Sequence, residues 1–209
     1  AAYIIYVDAN NLYGASMSKP LATGNYRWLT KEEIAALLPY LMELDPDGKT
    51  CYILEVDLEY PAHLHDIHND YPLAVEKKSV KEEQLSPFNK RCLQAVSQKF
   101  TATEKLIPDL TDKKNYVLSL RNLQLCLKHG LVLQAVHRVL TADQSDFLRR
   151  YIEFNSARRQ ESKSKFSSDF FKLCNNAIYG KFIEDVRKRT NVVAVKSERK
   201  AHKLIAKPQ

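Results

Sequence analysis

No apolar run in this chain approaches the ~20 residues that a membrane-spanning helix needs. The longest, AAYIIYV at residues 1–7, is short and lacks a basic leader, so neither a membrane anchor nor a secretion signal is expected. The cysteines, Cys51, Cys92, Cys126 and Cys174, are scattered with no C-x-x-C pair, which argues against a zinc ribbon or a disulfide framework. Reduced thiols in an intracellular protein, nuclear or cytoplasmic, are the expectation. No G-x-x-x-x-G-K-[ST] loop occurs, which removes the phosphate-loop ATPases. Internal repeats and low-complexity segments are also absent. His63, His65 and His68, in HLHDIH, lack the spacing of a helical pair or a zinc finger and have no evident fourth ligand. Tryptophan occurs once, as Trp28, and is expected in the core.

What is present is the composition of a globular protein. With 209 residues, 44% hydrophobic and 27% charged, the chain can bury a real core in one fair-sized domain or two small subdomains. The net charge of +7 is unevenly divided: residues 1–109 carry 11 Lys+Arg against 16 Asp+Glu, and residues 110–209 carry 21 against 9. A basic second half points to a polyanionic partner, nucleic acid or nucleotide, with a solvated basic surface as the alternative.

Hydrophobic periodicity predicts an α+β chain. Residues 2–8, almost continuously apolar, aromatic and β-branched, read as a buried strand. SKPLATG reads as a loop punctuated by Pro20 and Gly24. Thr30, with Glu33 three residues on, predicts a capped helix through IAALLPYL. DPDG at 45–48 is a turn. CYILEVDLEY is a strand with Glu55, Asp57 and Glu59 on one face and Leu54, Val56 and Leu58 on the other. Residues 61–112, interrupted by prolines, read as an irregular insertion with one helix around 89–99. NYVLSL is a strand, RNLQLCLKHG a helix ended by Gly130, and LVLQAVHRVL a strand. From Asp146 the pattern turns helical, and the serines at 162, 164, 167 and 168 break it into a two-helix hairpin. NVVAV, at 191–195, reads as a last strand before a basic tail.

Two stretches carry chemistry. In YVDANNLYG an apolar run ends on Asp8, and an aromatic ring follows five residues later. A carboxylate at the end of a buried strand is held rigidly, and by itself it reads as a turn former or helix cap. In KLCNNAIYGK, on a helix turning about 100° per residue, Asn176 lies about 40° and Tyr179 about −20° from Lys172. The three share one stripe. Such a stripe suits a nucleotide, with phosphates at the lysine, base and sugar at the ring, and Gly180 allowing a base pair close to the backbone. Taken alone, the stripe is better read as a surface lysine, a hydrogen-bonded asparagine and a core tyrosine.

In combination and order, D-x-x-x-L-Y-G at Asp8 and K-x-x-x-N-x-x-Y-G at Lys172 resemble the first two polymerase motifs of family B DNA polymerases. More narrowly, the chain looks like the protein-primed branch encoded by viruses, linear plasmids and self-synthesising transposons. YVDANNLYGASMSKPLATGNYRW, EVDLEYPAHLHDIHNDYPLAVEK and FFKLCNNAIYGKFIEDV extend the likeness over almost the whole chain. The resemblance implies a partial polymerase palm, a mixed or antiparallel sheet with helices, plus a two-helix fingers hairpin. Palm strands with the first motif would occupy residues 1–60, an insertion 61–112, a palm strand–helix–strand 113–145, the fingers hairpin 146–186, and a return strand and basic tail 187–209.

The implied activity is DNA-directed nucleotidyl transfer from deoxynucleoside triphosphates on a primer-template. Two divalent ions, Mg²⁺ or Mn²⁺, would hold the attacking and leaving oxygens. A priming terminal protein is a further implied partner, and no membrane is. By the same likeness Asp8 and Lys172 are catalytic, and Asp8 and the Ala9 carbonyl hold metal. Asn11 and Leu12 would offer backbone N–H groups to the triphosphate, and Tyr13 would exclude a 2′-hydroxyl. Lys172 would bind phosphates as a point charge, Asn176 would position its neighbours, and Tyr179 and Gly180 would border the nascent base pair. One or two of Arg158, Arg159, Lys163 and Lys165, near the hairpin tip, would reach the triphosphate. Arg187, Lys188 and Arg189 form a run suited to template or primer phosphates.

The family's third motif, typically Y-x-D-T-D-S with a second metal-binding aspartate, does not follow Tyr179. The exonuclease carboxylates, the thumb and a second insertion are missing too. The expectation is an enzyme fragment without activity by itself; the alternative is a non-catalytic nucleic-acid-binding remnant of a transposon polymerase. Purified residues 1–209, given a primed template, Mg²⁺ and all four dNTPs, should leave the primer unextended on a sequencing gel. Clear extension would refute the expectation.

Overall fold

The computed structural model describes residues 4–9, 11–190 and 192–207. In chain order its elements are α1 (Leu12–Met17), β1 (Leu21–Trp28), α2 (Lys31–Leu37), β2 (Thr50–Glu59), α3 (His65–His68), β3 (Glu76–Ser79), α4 (Pro87–Ala95), β4 (Glu104–Ile107), β5 (Lys113–Ser119), α5 (Leu120–Lys128), β6 (Val132–Ser145), α6 (Arg149–Glu161), α7 (Lys165–Phe182) and α8 (Glu198–Ile205). The chain is α+β, and its described strand pairings are antiparallel. It divides into two compact units, residues 19–147 and residues 1–18 with 148–209.

The first unit is built on a four-stranded sheet in the order β1-β6-β2-β5. Strand β2 alternates as its sequence predicts. Leu54, Val56 and Leu58 are buried, and each contributes about 1.5–3 kcal/mol relative to exposure. They join Leu118, Val139, Ile34 of α2, and Leu120, Leu123 and Cys126 of α5 in one core. Helix α2 opens with the expected capping box: Glu33 N–H donates to Thr30 Oγ (3.3 Å), and Thr30 N–H donates to the Glu33 carboxylate (2.8 Å). Gly130 follows α5 at φ 96°, a conformation that calls for glycine, and a Cβ there would also press on Leu64 Cδ1 at 3.1 Å.

The other face of β2 is held by charge. The β2–β6 register skips one residue between Glu55↔Arg138 and Val56↔Val136, a bulge at His137. Arg138 Nε donates to Glu55 (2.5 Å), while His137 Nε2 lies 2.9 Å from Asp57. Asn115 N–H also donates to Asp57 (2.8 Å), and Lys114 pairs with it at 3.2 Å. These contacts, the Asn115 N–H first, then His137 and Lys114, hold the Asp57 carboxyl down at about 2.

A second ionic group fastens the β3–β4 ribbon to the start of β5. The fully buried Lys113 ammonium meets Asp109 and, at 3.3 Å, Glu76. Lys78 bridges the same two carboxylates at 2.9 and 2.6 Å. Burial alone would raise the Asp109 pKa, but the bonds from Lys113, Lys78 and Thr111 outweigh it and keep the carboxyl far below its ordinary range.

Several elements differ from the sequence reading. Residues 4–8 of the expected first strand belong to no strand and are open to solvent, Ile4 at 99% and Tyr6 at 91%; Ala2 and Tyr3 lie outside the described residues. An apolar run becomes a strand only when a neighbour accepts and donates its backbone bonds, and no described strand does so here. Part of the expected SKPLATG loop is strand β1, because pairing with β6 overrides the turn signals and Pro20 sits just ahead of the ladder. The insertion contains the β3–β4 ribbon, and its helix is α4, capped by Ser86, at 87–95 rather than 89–99. Residues 192–195 form no strand; Asn191 lies outside the described residues, and the tail beyond folds as α8. Trp28 is 57% exposed, with the Arg138 guanidinium 5.1 Å above its ring, rather than in the core. The two-helix hairpin forms where the serines predicted, with Ser164 capping α7 by accepting from Ser167 N–H (3.1 Å). No described helix is long and apolar enough to cross a membrane.

Two substitutions test these ionic ties. Lys113→Ala leaves carboxylates without their buried cation and should cost about 3 kcal/mol in urea unfolding. A loss below about 1 kcal/mol would show the cluster to be energetically idle. The depressed Asp57 contributes stability that is complete above its ordinary value of about 3.9 and is lost as pH falls toward its folded value. Asp57→Asn should therefore flatten the dependence of melting temperature on pH between about 4 and 2, and an unchanged slope would contradict the assignment.

Candidate functional site

The unit formed by residues 1–18 and 148–209 brings the two chemical stretches together. Helices α6 and α7 pack as a hairpin, and α1 lies against both. Asn11 precedes α1 in the left-handed conformation, φ 54° and ψ 42°. Ala15 N–H donates to the Asn11 carbonyl (2.9 Å), which starts the helix that carries Tyr13. Helix α7 carries Lys172, Asn176 and Tyr179 on the stripe that its 3.6-residue period predicts.

Tyr13 and Tyr179 stack face to face, with ring centroids 4.3 Å apart and planes parallel. Beside them lies a cleft of about 330 Å³, lined by Asp8, Ala9, Asn11, Leu12, Tyr13, Arg159, Lys172 and Asn176. Its size falls in the range of small-molecule sites. Its lining sets one carboxylate, Asp8, against two cations, Lys172 and Arg159. A larger hollow of about 600 Å³ runs beside α4, lined among others by Gln84, Asn89, Lys99 and Phe100. It brings none of these residues together, and the smaller cleft is where the chemistry converges.

Of the four cations expected near the hairpin tip, Arg159 lines the cleft. Arg158, one residue earlier, lies over the Phe154 ring at 5.4 Å and pairs with Glu161 at 3.4 Å. Lys163 lies in the break between the helices and Lys165 begins α7; neither lines the cleft. Gly180 has open space where a Cβ would project. Arg187 and Lys188 sit on a 3₁₀ turn, with Lys188 paired to Asp185 at 3.5 Å. Arg189 is engaged bidentately by Glu184, which also pairs with Lys181; these bonds, Lys181 first, lower the Glu184 pKa. His65 and His68 pack around Tyr60, whose hydroxyl lies 2.8 Å from His68 Nδ1.

The donor set bears on the implied metal. Asp8 is the one carboxylate lining the cleft, and among the described residues no group of three His, Cys, Asp or Glu side chains is placed to hold an ion. Mg²⁺ is commonly held by one or two carboxylates, with waters and substrate phosphates completing its shell. Asp8 and Ala9 both line the cleft, and one carboxylate is the kind of donor that an ion arriving with a triphosphate takes. A second ion finds no carboxylate of its own here.

Sequence reasoning passed over three residues behind the cleft: Asn155, Ser156 and Asn175. Asn155 and Asn175 are buried, and their side chains are bonded to each other. The only signal was an asparagine doublet inside a helix, where asparagine is a poor former. Comparison with protein-family profiles, curated proteins and solved structures returns no match to this chain.

Proposed function

We propose that the chain is the nucleotide-binding portion of a DNA-directed DNA polymerase of the protein-primed family B kind, acting inside a cell on a primer-template. The observation that carries this reading is the single cleft in which Asp8, Ala9, Asn11, Leu12 and Tyr13 meet Lys172 and Asn176. Two motifs 164 positions apart that resemble a polymerase's first and second would have no reason to share a cleft if the likeness were accidental.

On this reading α6 and α7 are the fingers and the antiparallel sheet belongs to the palm. Lys172 and Arg159 neutralise the triphosphate, a charge-assisted contact stronger than a neutral hydrogen bond. The backbone N–H groups of Asn11 and Leu12 complete that cradle. Asp8 and the Ala9 carbonyl would hold the ion that offsets charge on the leaving phosphates. Tyr13 walls the sugar and so disfavours a 2′-hydroxyl. Parallel rings 4.3 Å apart leave no slot for a third ring, so an entering base or sugar lies against the tyrosine pair or parts it. Transfer itself calls for a second carboxylate, a priming terminal protein or primer end, and DNA. The alternative reading is a non-catalytic nucleic-acid-binding remnant of a transposon polymerase.

Calorimetric titration of the chain with a dNTP, with and without Mg²⁺, tests the proposal. Lys172→Ala should weaken binding by about tenfold or more, the worth of a charged contact. Asp8→Asn should remove the part of the affinity that depends on Mg²⁺ and leave the remainder. Tyr13→Val should bring ribonucleotide affinity up toward that of the deoxynucleotide. Absence of binding at millimolar dNTP, or binding indifferent to Lys172→Ala, would overturn the reading; binding without Mg²⁺ dependence would favour the remnant.

A further inference from the structure

Behind the cleft the side chains of α1, α6 and α7 are joined by amide and hydroxyl groups. Asn155 Nδ2 donates to Asn175 Oδ1 at 3.0 Å, across the two helices of the hairpin. Asn175 Nδ2 in turn approaches Ser156 Oγ at 3.4 Å. Asn11 Nδ2 reaches the same Ser156 Oγ at 3.3 Å from the loop side. Ser156 thus accepts from both the loop and α7. Asn155 and Asn175 are each 3% exposed, and amides buried to that degree are retained only when their partners are present.

Two features show that the loop is shaped for this connection. Asn11 stands at the N-cap of α1, where an asparagine ordinarily accepts from the helix's own N–H groups, yet it makes no such bond. Its amide is turned toward α6 instead. Gly14 makes that possible: a Cβ there would lie 2.4–2.6 Å from the Asn11 amide atoms. The glycine of the L-Y-G sequence keeps open the space that the asparagine side chain fills.

We infer that Asn11, Ser156, Asn175 and Asn155 form a polar latch that fixes the rotation of α7 relative to the Asp8–Tyr13 loop. The latch aims Lys172 and Tyr179 at the groups they must face. Asn175 lies three residues after Lys172 and four before Tyr179, so its bond sets the helix face that both present. A slip of one residue turns the stripe by about 100° and breaks both bonds that Asn175 makes. These are positioning residues: Ser156, Asn175 and Asn155 do not line the cleft. Their consequence for nucleotide binding rests on the reading given under Proposed function; the latch itself does not.

Three variants and two readouts decide it. Ser156→Ala removes the shared acceptor, Ser156→Thr keeps a hydroxyl, and Asn11→Ala removes the loop-side donor while leaving its backbone N–H. In the free chain, the ring protons of Tyr13 and Tyr179 should carry the upfield NMR shifts of stacked rings. Ser156→Ala and Asn11→Ala should abolish those shifts and weaken Mg²⁺–dNTP binding about tenfold; the melting temperature should fall by about 2–4 °C in Ser156→Ala, the cost of one hydrogen bond, and further in Asn11→Ala, where alanine replaces a left-handed asparagine. Ser156→Thr should retain both properties. Unchanged ring shifts in folded Ser156→Ala or Asn11→Ala would overturn the latch. If Ser156→Ala does not fold, Asn11→Ala, at a half-buried loop position, decides the matter. If the unaltered chain binds no dNTP, the nucleotide reading falls while the ring shifts still judge the latch.

Discussion

Helix α7 has to hold one rotation about its own axis, and little apolar packing is on hand to hold it. In the unit made by residues 1–18 and 148–209, the buried hydrophobic side chains among the described residues are Met17 and Ile152. Phe154, Phe166, Phe170, Leu173 and Phe182, all on the hairpin, are mostly exposed. Burial is non-directional and tolerates a slip that exchanges one exposed ring for another. Hydrogen bonds between amides do not, because a buried amide that loses its partner costs about 1–3 kcal/mol. The stack of Tyr13 on Tyr179 adds a second directional contact, with parallel rings. Direction rather than quantity of contact specifies the hairpin.

The sheet unit shows the opposite regime. Leu54, Val56, Leu58, Leu123 and Val139 are nearly or wholly inaccessible, and one continuous apolar cluster runs beneath β2 and α5. On the other face each carboxylate of β2 meets a partner on a neighbouring strand, Arg138, His137 or Gln134. The bulge at His137 makes this possible, since it sets two consecutive side chains of β6 toward the same face. Without it His137 would point to the core, where an imidazole has no partner.

The parts of the fold written locally were legible in the sequence. Thr30 and Glu33 announced α2, Gly130 the end of α5, the serines the break before α7, and the period of two the faces of β2. What depended on remote partners was not. The run at residues 4–7 has every property of a strand except, among the described residues, a strand to pair with. Strand β1 lay hidden under turn signals because β6, more than a hundred residues later, supplies its ladder. In the cleft the same division holds. Lys172, Asn176 and Tyr179 follow from one helical period, whereas the choice of Arg159 over Arg158 depends on which face of α6 meets the loop. Asn175 escaped notice because its neighbour Asn176 matched the motif, and only the crossing of α6 on α7 gives it a role.

Gly180 leaves α7 in an unusual thermodynamic position. A glycine inside a helix costs about 0.5–1 kcal/mol relative to alanine, through the backbone freedom it forfeits on folding. Here no described residue beyond the helix's own backbone and the glycine's chain neighbours comes within 4 Å of the missing methyl, and the backbone is ordinary helix. An alanine in its place would tighten the chain's own free-energy minimum, and its presence could be felt only by a visiting molecule pressed flat against that turn.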